Sequence, residues 1–420
     1  MKKRYFLNEI CDTVFNDKKV ILSNQFTGEW IKIPIECYKV IEYSFKKRIP
    51  VNKVIHAFRD EEDQKYFIQV LCRLEKIGLL EKEIIDDIKV DFIPRVIFSI
   101  TNRCNLNCDY CCVTASLDKK LEYEDVLKTE DVKKAIDKIV TLNPQQIVLS
   151  GGEPLIRKDF FDIFYYVKGI YDEKLTLATN ATLIRDEDIK TIAKNVYSIE
   201  ISLDGFDEKT CAKVRGKGIF NRVIEVVKLL QENDLEKISL SMVVGNNNVQ
   251  YVDKFNELNR KLGTKAVIRN FSKLGRGEYN FEKYLGEKNI EHYIGDDDLD
   301  IDIMKIKANS CQAGSSQLFV NYDGNVFLCP LLQYEEFKIG NILDLNDDLM
   351  EKILERKLPS FENFEKVKTK NILYCKNCKV NTFCTGCPAK MYTLLKNKEA
   401  FRYNCEFMKD KLMYKIWESF

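Results

Sequence analysis

The sequence predicts an α/β fold: a partial (β/α)6 TIM-like barrel, preceded by a winged-helix domain and followed by a loop-rich, cysteine-rich domain. Three observations lead there. Strand and helix patterns alternate six times between residues 94 and 290. A hairpin, three helical patterns and a short strand fill the first 90 residues. Residues 291–420 then lose that rhythm and gather seven cysteines. The expected domains are 1–90, 91–290 and 291–420; a chain of 420 residues is too long for one small core.

In the first part, Val20-Ile21-Leu22-Ser23 and Trp30-Ile31-Lys32-Ile33 read as strands, with Thr27-Gly28 as a turn between them. Helical patterns follow at 35–47, 51–59 and 61–77. In the last, Phe67, Val70, Leu71, Leu74 and Ile77 fall at helical spacing, and Gly78 is a natural stop. Leu79-Leu80-Glu81-Lys82 reads as a short strand or wing.

In the second part, the expected strands are Val96–Ile100, Ile147–Ser150, Leu175–Thr179, Ser198–Leu203, Ser239–Val244 and Ala266–Asn270. The helices between them fall at 130–142, 159–171, 186–194, 219–232 and 249–262. Such alternation implies a parallel sheet with crossover helices. Six units are too few to close an eight-fold barrel, so the barrel is open, with its chemistry on the loops at the strands' C-terminal ends. Asp296-Asp297-Asp298 marks a linker to the third part, which has too little apolar periodicity to fold without metals.

Lys and Arg total 66 and Asp and Glu 65, a net charge of +1, so charge makes no case for nucleic acid or a membrane as partner. No 18-residue apolar stretch predicts a transmembrane helix, and an acid at Glu9 comes too early for a signal peptide; the expected location is cytoplasmic. Fifteen cysteines in a long chain of this kind read as metal or redox ligands. Cys11, Cys37, Cys72, Cys112 and Cys211 lie outside the spaced groups and read as small buried hydrophobes.

The first group is Cys104-Asn105-Leu106-Asn107-Cys108-Asp109-Tyr110-Cys111, directly after the first barrel strand. Three thiolates at this spacing can hold three irons of a cubane and leave the fourth open to chelate a small molecule. A structural zinc site wants four ligands, and Cys112, adjacent to Cys111, is poorly placed to be the fourth. The motif, with its aromatic Tyr110, resembles the radical S-adenosylmethionine (SAM) superfamily. That resemblance implies a [4Fe-4S] cluster whose open iron binds SAM. One electron then splits SAM into methionine and a 5′-deoxyadenosyl radical, which takes hydrogen from an unactivated C–H bond.

Ser150-Gly151-Gly152-Glu153-Pro154 follows the second strand. It resembles the superfamily's loop for the SAM amino group, which implies contacts from Gly151, Gly152 and Glu153. Asn180, Ser202 and Arg215 resemble the residues that hold the ribose and carboxylate, with Ser202 and Arg215 near the carboxylate. The C-terminal cysteines resemble the SPASM domain, which binds two auxiliary [4Fe-4S] clusters, three clusters in all. The resemblance implies Cys375, Cys378, Cys384 and Cys405 around the outer cluster and Cys311, Cys329 and Cys387 around the inner one. The spacing departs from the usual pattern, since only Thr385 and Gly386 separate Cys384 from Cys387.

Residues 5–90 resemble, in outline, a RiPP recognition element, which grips the leader of a ribosomally made precursor peptide. The acidic start Asp60-Glu61-Glu62-Asp63 of the longest helix argues against DNA. Together these resemblances imply a peptide maturase of the thioether-forming, sactipeptide or ranthipeptide type, served by an external electron donor. Oxidation of a protein Ser or Cys, as in sulfatase maturation, and a redox-sensing, DNA-binding regulator are the alternatives. No residue is assigned as catalytic acid or base; His56 and His292 sit in no motif.

Overall fold

The computed structural model describes residues 6–7, 10–81, 93–113, 115–117, 125–285 and 306–418. The expected linker at Asp296–Asp298, the end of the wing at Lys82, His292 and the domain boundaries at 90 and 290 lie outside them.

The first segment runs β1 Phe6–Leu7, β2 Cys11–Asn16, β3 Lys19–Asn24, β4 Trp30–Pro34, α1 Ile35–Lys46, α2 Glu61–Lys76 and β5 Leu80–Glu81. β2, β3 and β4 form an antiparallel sheet, and β1 pairs with β5. Val20, Leu22, Ile33, Ile41, Phe67 and Leu74 share one apolar core beneath the sheet. Strand β2 was not foreseen; Asp17, at φ +47°, makes the tight turn that joins it to β3. The helix expected at 51–59 is instead two short 3-10 turns, Val51–Lys53 and Ile55–Ala57. The reason lies just beyond: Asp60 accepts from the backbone N–H of Glu62 and Asp63 and so starts α2 afresh.

The second segment carries β6 Arg95–Ser99, β7 Arg103–Cys104, β8 Ser116–Leu117, α3 Thr129–Thr141, β9 Gln146–Ser150, α4 Phe160–Ile170, β10 Lys174–Thr179 and α5 Asp186–Asn195. It continues with β11 Ser198–Ser202, α6 Glu208–Arg215, α7 Ile219–Glu232, β12 Ile238–Val244, α8 Val252–Leu262, β13 Lys265–Asn270 and α9 Phe281–Leu285. The sheet order β13-β12-β11-β10-β9-β6 is parallel throughout, as a partial barrel requires. One face of β6, β9, β10, β11 and β12 is apolar and buried: Val96 and Phe98, Ile147 and Leu149, Leu175 and Leu177, Ile199 and Ile201, Leu240 and Met242. Helix α6 was missed; Asp207 caps it through Thr210, and Gly216 at φ +109° ends it.

The third segment is more regular than its sequence suggests. It contains β14 Gln317–Val320, β15 Asn325–Phe327, β16 Lys338–Asn341, α10 Asp347–Leu354, α11 Pro359–Lys366, α12 Pro388–Leu395 and α13 Lys398–Met413. β14 adds in parallel to β6, and the β14–β15–β16 meander extends the barrel sheet to nine strands. Two signals were readable: the short apolar run Leu318-Phe319-Val320, and the turn closed by Gly324 at φ +83°.

The chain divides into two compact units: residues 1–89, 298–312 and 364–420, and residues 90–297 and 313–363. Within the first, Trp30 donates Nε1–H to the Ile306 carbonyl at 2.7 Å and meets the Phe383 ring edge-on at 5.2 Å. Lys32 donates to the Ile416 carbonyl at 2.9 Å, and Lys379 to Asn16 at 2.5 Å. The N-terminal sheet is therefore built into the C-terminal segment. Among the described residues no helix is long and apolar enough to cross a membrane.

Candidate active site

The site lies in the second unit, at the C-terminal ends of the barrel strands. After β6 the chain turns through Thr101 into β7, which ends at Cys104. Cys104 and Cys108 are buried and Cys111 is half-buried. All fifteen cysteines are free thiols. Of the scattered five, Cys37 and Cys211 are buried as expected, whereas Cys72 and Cys112 are exposed and Cys11 is intermediate, so the buried-hydrophobe reading fails for Cys72 and Cys112.

The cysteine loop is fastened from both sides. Gly152 donates its N–H to the Thr101 carbonyl and Glu153 to that of Arg103, each at 2.8 Å. A Cβ on Gly151 would stand 2.8 Å from the Thr101 carbonyl oxygen, and one on Gly152 2.3 Å from that of Arg103. The close approach that these glycines permit is thus to the cysteine loop's own backbone. From the other side Arg276 donates through Nε to the Cys108 carbonyl at 3.0 Å and through Nη1 to that of Ala115. Its backbone N–H reaches the Cys111 carbonyl at 2.9 Å. Sequence reasoning missed Arg276; its only mark is the Gly275-Arg276-Gly277 turn beyond the last strand.

Glu153 is fully buried. It accepts from Thr179 Oγ1 at 2.7 Å, Leu155 N–H at 3.2 Å and Asn180 N–H at 2.6 Å. Burial pushes its carboxyl up to about 7 against those hydrogen bonds and Arg215. Asn180 is turned toward the cysteine loop: Nδ2 donates to Asn105 Oδ1 at 2.9 Å and reaches Cys104 Sγ at 3.9 Å. Ser202 ends β11, in register with Ser241.

Arg215 is buried. Its side chain is 8% exposed and donates through Nε to Asp204 Oδ2 at 2.5 Å and through Nη2 to Tyr110 OH at 2.7 Å. Tyr110 also hydrogen-bonds Asp204. Asp204 sits at φ +60° and is held there by the Val243 N–H on its Oδ1 at 2.6 Å. Burial works against the Arg215 charge, but Asp204 holds the guanidinium well above its ordinary value. This triad lies close enough to Cys108 for Arg215 and Asp204 to act on that thiol in opposite senses.

In the first unit, Cys384, Cys405 and Cys378 all act on Cys375, which burial pushes up to about 12. Cys405 comes from α13 and the other three from the 375–384 loop. Cys387 is the N-cap of α12, and Cys311 belongs to the same unit; Cys329, after β15, belongs to the second unit.

The donor sets suit iron–sulfur clusters. Burial pushes the Cys104 thiol up to about 12, and a bound cation would favour its ionised form. Among the described residues no three His, Cys, Asp or Glu side chains converge as ligands of a single ion do; a cubane instead takes one thiolate per iron. A SAM ammonium beside Glu153 would offset that carboxylate's burial in the same way.

Comparison with known proteins agrees. Residues 98–258 match the radical SAM superfamily, and residues 311–379 match SPASM, an iron-sulfur cluster-binding domain. The mycofactocin maturase MftC of Mycolicibacterium smegmatis is 26% identical over 265 residues, covering 59% of this chain and 66% of that protein. The AdoMet-dependent heme synthase of Methanosarcina barkeri is 32% identical over 195 residues, covering 45% and 54%. The match thus spans less than two thirds of either relative. Streptococcus suis SuiB is similar in fold. Its SAM-bound structure has a TM-score of 0.54 at 18% identity, over 94% of this chain and 97% of that one. Its complex with the precursor peptide SuiA gives 0.53 at 17% identity, over 97% and 99%. With a three-thiol loop at the mouth of an open parallel barrel and both domain matches in place, the chain carries a radical SAM domain over residues 98–258 and a SPASM iron-sulfur cluster-binding domain over residues 311–379.

Proposed function

We propose that this enzyme matures a ribosomally made precursor peptide by intramolecular crosslinking, with a thioether from a peptide cysteine as the bond formed. The observation that carries this reading is the N-terminal sheet joined to a radical SAM–SPASM chain. Among the described residues β4 is the last strand of its sheet, paired to β3, and α2 packs near it, so an extended leader can add as a further strand. A fold shared with SuiB over nearly the whole chain, and the likeness to a maturase, support it.

When bound, SAM and its cluster supply the one-electron cleavage that begins hydrogen abstraction. The chain's own residues do the positioning. Cys104, Cys108 and Cys111 are the cluster ligands. Glu153 takes the SAM amino group, backed by Gly151 and Gly152, with Asn180 behind the loop. Arg215, held by Asp204 and Tyr110, and Ser202 face the carboxylate. Two auxiliary clusters bring the total to three, with Cys375, Cys378, Cys384 and Cys405 as the ligands of the outer one. When bound, these clusters would supply a path for the electron released on crosslinking, and an external donor would supply the electron for SAM cleavage. The setting is the cytoplasm.

The test is mass spectrometry of a cysteine-containing precursor co-expressed with the enzyme. A loss of about 2 Da per crosslink is expected, for two hydrogens removed. The loss should vanish with Cys104→Ala, and fragmentation should place the bond on cysteine sulfur. An unchanged mass with no deuterium uptake from solvent overturns the peptide reading. It then favours a small-molecule substrate, for which the 32% identity to the heme synthase speaks.

A further inference from the structure

The barrel's sheet has a second, polar face. In register, Arg95 aligns with Gln146, Ala178 with Glu200, and Val243 with Arg269. Side chains alternate along a strand, so Arg95, Glu200 and Arg269 stand on the face opposite the buried apolar one. That is the face on which Ser202 also lies, two residues beyond Glu200. Gln146, Thr176 and Ser198 continue it: Gln146 donates to Thr176 Oγ1 at 2.7 Å, and Thr176 and Ser198 share a hydrogen bond of 2.8 Å.

Within this polar face the charges do not balance. Arg269 is ion-paired with Glu200. Arg95 is half-buried, and its Nε is buried with no hydrogen-bond partner among the described residues. Burial pulls Arg95 below the ordinary arginine range; Glu200 opposes that and Arg269 adds to it, so all three charges are within reach of one another. Two guanidinium groups thus share one carboxylate.

A structural arginine in this unit looks different. Arg157 is bonded to Asp159 and to the carbonyls of Ile100 and Leu127, and Arg276 to those of Cys108 and Ala115. Among the described residues Arg95 has no such set. A sealed, unbonded guanidinium nitrogen costs stability unless something arrives to meet it. The fork geometry of arginine suits a carboxylate.

We propose that Arg95, with the Arg269–Glu200 pair beside it, anchors a carboxylate of the peptide substrate inside the barrel. The proposal rests on the peptide-maturase reading. The carboxylate is either an acidic side chain of the core peptide or its C-terminus. Glu200 sets the strength: it occupies Arg269 and competes with the incoming acid for the shared positive charge.

The test is phenylglyoxal labelling of the cluster-loaded full chain, with the Arg95 adduct read by peptide mapping. Three probes are compared: N-acetylglutamate α-amide (side-chain acid), N-acetylglutamine (terminal acid) and N-acetylglutamine α-amide (neither). Arg95 should label readily and be protected by at least one acid but not by the neutral amide; the better acid identifies the source. Glu200→Gln should lower the acid concentration needed for half-protection several-fold. Arg269→Gln should raise it about tenfold, the loss of one charge-assisted contact. An Arg95 that never labels, or labels alike with all three probes, overturns the anchor. If a co-expressed precursor still loses mass in that case, the maturase reading stands without it. Protection by acid with no precursor mass change keeps the carboxylate anchor and removes the peptide as its source.

Discussion

Glu153 shows how much one residue's setting matters. As a residue type in a Gly-Gly-Glu-Pro turn it was recognisable in the sequence; its burial and its three protein donors were not. Its folded carboxyl is raised from 4.5 to about 7 by burial. A raised carboxyl stabilises the native state fully below the unfolded value of 4.5, and that contribution is lost as pH rises through about 7. An ammonium ligand needs the ionised form, so SAM affinity of the purified enzyme should climb with pH and level off above about 7. Calorimetric titration across that range checks this, and a flat profile would show that Glu153 does not receive the amino group. Gly152 makes a steric counterpart. In Gly152→Ala the new methyl would meet the Arg103 carbonyl oxygen at 2.3 Å. The backbone at Cys104 must then shift, at a cost of about 1–3 kcal/mol. A lower melting temperature together with reduced iron loading is expected; full loading would mean that the loop can give way.

At the scale of elements, the connections carry the site. Arg157 stands between the Gly-Gly-Glu-Pro turn and α4, with its side chain only 2% exposed. It ties α4's first turn to the ends of β6 and of the loop before α3 through Asp159, Ile100 and Leu127. Arg157→Met should leave two carbonyls without this donor and Asp159 without its cation, with Thr129 still bonded to it. The expected loss is about 3–5 kcal/mol, read as a lower urea midpoint at unchanged slope. Helix α6 is the second case. It is short, and its start, Asp207-Glu208-Lys209-Thr210, is an ordinary capping sequence, so periodicity alone passed over it. Yet α6 brings Arg215 to a buried ion pair with Asp204.

At the scale of the whole molecule, the C-terminal thiols are gathered by pieces far apart in sequence. Cys375, Cys378 and Cys384 lie on one loop and Cys405 on α13. Cys384→Ala should remove about four irons per chain while leaving the SAM-binding cluster in place. Iron analysis together with SAM-dependent spectral change separates the two. Loss of all iron would mean that the clusters fold as one system, and no loss would remove Cys384 from the ligand set. The same unit holds the N-terminal sheet through Trp30, Lys32 and Lys379, so the leader-binding region proposed here shares its framework with the loop of Cys375, Cys378 and Cys384.

The sequence by itself determined the parallel barrel and its thiol loop. Both are local matters: six apolar strand patterns each lie beside a helical one, and three cysteines sit within eight residues, Cys104 to Cys111. Capping could be read the same way once looked for, as at Asp60 and Asp207. Tertiary structure decided the rest. The 51–59 segment yielded its helix to the start of α2, and residues 317–341 joined the barrel sheet because β6 had a free edge to fill. Arg215, Arg276 and Arg95 are alike in sequence, and burial with different partners makes one a charge partner for Asp204, one a clamp on the cysteine loop and one a guanidinium with unmet hydrogen bonding. A charged side chain's role depends on the groups that desolvation leaves around it, and those come together only when distant strands close into one sheet.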